Sequence, residues 1–161
     1  MGVSGKIHPI DTRLEELGLV LPEPPKPAGK YRGSIRGDRL LFISGQFPSS
    51  NGRLVYQGRV GDELSAEDGR DAARLAALNV LAHIRAATSE WNEFGYLVRL
   101  EGYVSSAKGW HQQPEVLDGA SELFAEVLGE QAGHTRTAFS VTQLPLNAAV
   151  ELVVIASLLI I

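Results

Sequence analysis

A chain of 161 residues is long enough to fold as one domain that buries roughly two thirds of its unfolded surface, with no need of a metal or a disulfide as a staple. The absence of cysteine excludes a disulfide framework, thiolate metal sites and a cysteine nucleophile together. With 15 Lys and Arg against 19 Asp and Glu, the formal charge is −4 and no basic cluster interrupts it, which argues against a nucleic-acid partner whose phosphates would need clustered cations.

The first residues, M-G-V-S-G-K-I-H-P-I-D-T-R, have no apolar signal core, and Lys6 stands where a myristoylation signal needs Ser or Thr. The last twelve, V-E-L-V-V-I-A-S-L-L-I-I, are too short to span a membrane and contain Glu151. The expectation is a cytoplasmic protein with no membrane partner.

Residues 11 to 19, D-T-R-L-E-E-L-G-L, read as a short helix capped by Asp11 or Thr12 and ended by Gly18. Four prolines in L-P-E-P-P-K-P-A-G make residues 21 to 29 an extended connector. Residues 1–28 are therefore expected to form an N-terminal extension, and residues 29–161 the main domain. That domain opens with a hairpin turning at Gly37-Asp38, whose second strand, Leu40 to Ser44, is a continuous apolar run of the buried kind. The glycine-rich stretch S-S-N-G-R-L-V-Y-Q-G-R-V-G reads as a loop with one short strand.

Ser65 and Asp68 give a capping-box start to the longest helix, about residues 66 to 88. Its residues Ala73, Ala76, Ala77, Val80, Ile84 and Ala87 recur at three- and four-residue spacing and make one face for covering a sheet. Leu97 to Ser105 is a strand, and Leu117 to Leu128 a second helix ending at Gly129. Residues 133 to 156 read as two strands around a turn at L-P-L-N. The sum is an α+β arrangement, with helices on one face of a mixed sheet.

Two charges in that last pair of strands need an explanation. Glu151 lies inside the most apolar run of the chain, and a carboxylate left unpaired in an interior costs several kcal/mol, about 3–5 where a partner has been removed. Alternation puts Ala149, Glu151, Val153 and Ile155 on one face and Val150, Leu152 and Val154 on the other. Two readings stay open: an outward or edge position where a lone Glu is harmless, or a site. If the strands form a hairpin, Glu151 faces Ala138 to Val141, and Arg136 sits one or two pleats further, roughly 7–13 Å away. At that separation a small anion fits between them, gripped by the arginine, with the glutamate left for proton transfer. The alternative for Arg136 is a strand-end arginine in solvent.

Histidines 8, 83, 111 and 134 are too dispersed for a metal motif. S-G-Q at 44 to 46 is no phosphate loop and reads as a strand ending in a tight turn. No G-x-S-x-G elbow or Ser-His-Asp order supports a hydrolytic triad.

Three pieces together resemble the RidA family, also written YjgF/YER057c/UK114. They are Tyr31 upstream of F-I-S-G-Q-F-P, the helix containing A-L-N-V-L, and H-T-R-T-A-F-S-V-T-Q-L-P followed by V-E-L-V-V-I-A. The resemblance spans about residues 29 to 157. It implies a chorismate-mutase-like fold, with a six-stranded sheet backed by two helices, and a homotrimer with clefts between subunits. It also implies hydrolysis of enamines and imines such as 2-aminoacrylate to a 2-oxo acid and ammonia, with no metal or organic cofactor.

By position, Arg136 matches the arginine that binds the substrate carboxylate, and Glu151 the carboxylate that orients water. Tyr31, Ser44 and Gly45 match residues lining the cleft from the neighbouring subunit. The chain departs from the archetype at Gly119, which an ungapped count sets where an asparagine is usual. It departs also at Ala138 in place of a frequent cysteine, and at His134 in place of proline. A non-catalytic trimer binding a small carboxylate is the alternative expectation, and an endoribonuclease ranks last, because no basic-aromatic track is visible.

Overall fold

Ser65 and Asp68 cap one another reciprocally: the Asp68 amide donates to the Ser65 hydroxyl at 3.0 Å, and the Ser65 amide to the Asp68 carboxylate at 2.8 Å. They start helix α2 (Ala66–Ala87), whose small face of Ala72, Ala73, Ala76 and Ala77 is fully buried. The computed structural model describes residues 7–159. The hexapeptide Met1–Lys6 read above, and the last two residues of the apolar terminal run, lie outside the described residues.

Before α2 come helix α1 (Pro9–Glu16) and strands β1 (Ser34–Gly37), β2 (Leu40–Gln46), β3 (Ser49–Ser50) and β4 (Arg53–Leu54). After it come β5 (Phe94–Ser105), helix α3 (Gln113–Leu128), β6 (Thr135–Val141) and β7 (Val150–Leu158). The main sheet has five strands in the order β1-β2-β7-β5-β6, with β5 and β6 parallel and the other neighbours antiparallel. The expected sixth strand is absent from it, because β3 and β4 pair only with each other. Their turn is Asn51-Gly52, both at positive φ, the signature of a two-residue hairpin that the glycine-rich reading of this stretch passed over.

Three α-helices are described, the short N-terminal one expected near residues 11 to 19 and the two expected to back the sheet. Gly18, at φ +66°, ends α1 as expected, but the helix is capped by His8, whose Nδ1 accepts from the Ile10 amide, and not by Asp11 or Thr12. Asp11 instead accepts from Arg85 Nε and from Trp91 Nε1, each at 3.0 Å. Ile10 and Leu14 of α1 are buried in the same core cluster as α2 and α3. Helix α3 begins four residues before Leu117, with Pro114 in its first turn, where the missing N–H costs nothing.

The expected hairpin of the last two strands does not form. β5 lies between them: Gly102 pairs with Ala138 on one side and with Leu152 on the other. The physical reason is composition. β6 carries Thr135, Arg136, Thr137 and Ser140 and suits a sheet edge, whereas β7 is apolar on its inner face and takes a place inside the sheet. The segment between them, residues 142 to 149, is long enough to pass over one strand.

The alternation expected for β7 is present. Val150, Leu152, Val154 and Ala156 are buried beneath the helices, and Glu151, Val153 and Ile155 are half-buried on the opposite face. No described helix covers that second face, which also shows Phe42, Tyr96 and Phe139 to solvent.

Candidate functional site

The S-G-Q stretch is not a turn but a bulge inside β2. Ile43 pairs with Val154 while Gln46 pairs with Leu152, so three steps on β2 meet two on β7 and one residue is extra. The extra residue brings the Ser44–Gly45 backbone beside Glu151. A Cβ added to Gly45 would stand 1.9 Å from Glu151 Oε1 and 2.7 Å from its Cδ, so glycine is what lets the carboxylate lie there. Ser44 is fixed on the strap that precedes β1: its hydroxyl donates to the Arg32 carbonyl at 2.6 Å and its amide to the Gly33 carbonyl at 2.9 Å. Tyr31, two residues before Gly33, is 57% exposed, and its hydroxyl accepts from the Ala28 amide at 3.3 Å.

Among the described residues, the Glu151 side chain has no hydrogen bond and no ion pair, and burial alone pushes its carboxyl above the usual carboxylate range. A carboxylate so held is a better proton acceptor than one in water. Tyr103 pairs with it across the β5–β7 ladder and stacks on Phe139 at 5.0 Å between ring centroids. The Tyr103 hydroxyl donates to Glu101 at 3.1 Å, and Glu101 accepts from Arg99 Nε at 2.9 Å. Burial first, then the hydrogen bond to Glu101 and its charge, with that of Glu151, raise the Tyr103 hydroxyl; the Arg99 and Tyr103 bonds hold Glu101 low. Tyr103 was not among the residues singled out from sequence. Its signal was the run Arg99, Glu101, Tyr103, polar at every second position of an otherwise apolar strand.

Arg136 stands elsewhere. It pairs with Leu100, a residue facing the helices, whereas Glu151 pairs with Tyr103 on the uncovered face. The two charges are on opposite faces of the sheet with β5 between their strands. The hairpin distance is thereby replaced by about 14 Å between Cα atoms from two strand spacings and three residues of rise. The guanidinium Nη1 donates to Asp118 at 2.8 Å and to the Ser121 hydroxyl at 3.2 Å, both on α3. Ser121 also lies 3.0 Å from Nε2 of His134, whose Nδ1 is 2.6 Å from the Ala132 carbonyl.

Ala138 lies one pleat further on the same face as Arg136, half-buried against the core. Gly119 does not face Arg136: a Cβ there would meet the Arg70 carbonyl oxygen at 2.2 Å, so this glycine lets α2 and α3 pack closely. The α3 side chain beside Arg136 is that of Asp118, one position earlier than the ungapped count. The chain therefore brings Ser44, Gly45, Glu151 and Tyr103 together and holds Arg136, Asp118, Ser121 and Ala138 apart from them. A groove of about 740 Å³ between α1, the proline-rich connector and α2 touches neither group. No cluster of three His, Asp or Glu suited to a metal occurs among the described residues.

A mixed sheet covered by helices on one face only, with an isolated carboxylate on the bare face, places the chain in the two-layer α+β class. The family described as "YjgF/chorismate_mutase-like, putative endoribonuclease" matches residues 11–158. The chain belongs to this YjgF family, the one also called RidA. It is 35% identical over 143 residues to Protein TCP17 of Trypanosoma cruzi, covering 88% of this chain and 89% of that one. Among solved structures it is similar to the protein Atu1372 of Agrobacterium tumefaciens, with TM-score 0.86 and 36% identity over 93% of this chain and 92% of that one. The fold is shared with E. coli TdcF, solved with bound serine, at TM-score 0.64 and 22% identity over 84% and 93% of the two chains. No described helix is long and apolar enough to cross a membrane.

Proposed function

We propose that the protein is an enamine/imine deaminase that hydrolyses 2-imino acids of the 2-aminoacrylate type to 2-oxo acids and ammonia. The observation that carries this reading is Glu151: an unpaired carboxyl, raised by burial and held beside a glycine bulge. Water attacks the imine carbon as Glu151 accepts its proton, and the proton passes to nitrogen. The carbinolamine hydroxyl then passes its proton by way of Glu151 to nitrogen as the carbon–nitrogen bond breaks, releasing ammonia and leaving the 2-oxo acid. The substrate is already electrophilic, so positioning supplies most of what the protein must add.

Arg136 holds the substrate carboxylate in this scheme. Because it lies on the opposite face from Glu151, two chains are needed to complete one site. We infer a homotrimer, the assembly the family resemblance implies, whose clefts combine Arg136 and Ala138 of one subunit with Tyr31, Ser44, Gly45 and Glu151 of the next, all within residues 29–161. The half-buried Val153 and Ile155 and the exposed Phe42 and Phe139 of the uncovered face suit such an association.

A non-catalytic carboxylate-binding trimer is the second reading, favoured by the ion pair that already occupies part of Arg136. The test is to generate 2-aminoacrylate in situ with a pyridoxal-phosphate dehydratase and follow the 2-oxo acid. Acceleration over spontaneous hydrolysis supports the deaminase. Ligand binding that Arg136→Ala abolishes, without turnover in the parent, supports the binding protein.

A further inference from the structure

Arg136 is anchored by a charge where a neutral acceptor was already to hand. Its Nη1 donates to both Asp118 and the Ser121 hydroxyl, while among the described residues its Nε and Nη2 make no side-chain bond. That leaves the Nε–Nη2 edge, the side-on fork that grips a carboxylate. Asp118 is 42% exposed, so its second oxygen is not consumed by the fold. The next cation, Arg70, reaches that oxygen only at 4.0 Å and is itself engaged by Glu122 at 2.6 Å and by the Glu115 carbonyl at 3.1 Å. Asp118 thus offsets the charge of Arg136 one for one, while Arg70 is shared with Glu122 and Glu115.

We infer that Asp118 is a specificity-determining residue: it makes the arginine subsite neutral, so that ligands carrying a cationic nitrogen with their carboxylate are favoured over simple carboxylate anions. The inference rests on the reading of Arg136 as carboxylate anchor. A lone carboxylate entering this subsite leaves one uncompensated negative charge beside Asp118, whereas a zwitterion leaves none. The protonated 2-imino acid is such a zwitterion and the 2-oxo acid product is a lone anion, so the same carboxylate that admits the substrate weakens the hold on the product.

The test is calorimetric titration of the full chain with L-serine as zwitterionic probe and pyruvate as anionic probe, in the parent, Asp118→Asn, Asp118→Ser and Arg136→Ala. Asn keeps an acceptor for Nη1 and removes only the charge, and Ser provides a second uncharged side chain should Asn perturb folding. Pyruvate is expected to bind about three- to tenfold tighter in both Asp118 variants, the range for a partly exposed charge pair, with serine unchanged or weaker. Equal shifts for both probes, or none, overturn the role of Asp118 while loss of both probes in Arg136→Ala upholds the anchor. If Arg136→Ala leaves both affinities unchanged, or the parent binds neither probe, the anchor fails and the inference about Asp118 falls with it.

Discussion

Gly45 and Glu151 are in contact in a way only glycine permits, since a methyl group at Gly45 would stand 1.9 Å from the glutamate oxygen. The obstructing atom is the free end of a flexible side chain, so Gly45→Ala is expected to push the carboxylate aside rather than unfold the protein. The measurement is a melting curve beside a turnover assay: melting within a few degrees of the parent, and activity lowered by about 10²-fold, the cost of misplacing a reacting group by about an ångström. Gly119→Ala is the contrast. Its methyl would meet backbone at 2.2 Å, which cannot swing away, and overpacking of the α2–α3 contact is expected to cost about 1–3 kcal/mol with the residual folded protein still active.

Arg136 and Glu151 lie on opposite faces, so a site that uses both must draw them from different chains. Arg136→Ala and Glu151→Gln homo-oligomers are each expected to be inactive. Mixed by co-expression or by refolding together, they are expected to regain activity, because some interfaces join an intact Arg136 to an intact Glu151. For a cyclic trimer assembled at random from equal amounts, about one quarter of the sites are of that kind. Activity of the mixture no greater than that of the separate variants would rule out a site shared in this way.

Burial raises the Glu151 carboxyl, and the sign of its effect on stability follows. Its contribution is fully present below the ordinary glutamate range near 4.5 and is lost as pH rises through the elevated value, where a half-buried charge must form. Glu151→Gln, an isostere of the protonated form, is therefore expected to be more stable than the parent near neutral pH and equal to it in acid, as denaturant titrations at several pH values would show. Its turnover is expected to fall by about 10²–10⁴-fold, the ordinary worth of a positioned acid–base group. Gain of stability with loss of activity separates a functional carboxylate from a structural one.

The limits of reading this chain from sequence are physical. Ser65 with Asp68, the alanine face of α2 and the alternation of β7 were legible because each depends on neighbours within a few residues. The order of strands was not. Adjacent segments suggested that β6 and β7 pair, and only the competition for the sheet interior, which β7 wins through Val150, Leu152 and Val154, inserts β5 between them. The same mistake gave Arg136 and Glu151 a common face. The bulge at Ser44–Gly45 escaped notice because a register shift belongs to a pair of strands and neither strand carries it alone. Asp118 was missed because counting back from Arg136 fixes a position along the chain, whereas the turn of α3 decides which side chain looks at the strand.

His83 offers a last test, on the segment that leads into the site. It is buried, its Nε2 has no partner, and the Gly33 α-carbon packs so closely that a Cβ there would meet the ring at 2.4 Å. Burial lowers the imidazole below its ordinary value of 6.5, partly opposed by the Pro25 carbonyl. A histidine kept neutral in the folded state contributes stability that is fully present above about pH 6.5 and declines as pH falls below it, because the unfolded chain takes up the proton first. The slope from this one group is at most about 1.4 kcal/mol per pH unit. His83→Leu, which cannot protonate, is expected to remove that slope below about pH 6.5 in denaturant titrations. Because Gly33 accepts from the Ser44 amide, protonation of His83 is also expected to loosen the Tyr31–Gly33 strap, read as a lower protection of the Ser44 amide, relative to its intrinsic exchange rate at the same pH, in the parent at acid pH and unchanged protection in the variant. An acid slope that survives in His83→Leu would assign it to another group.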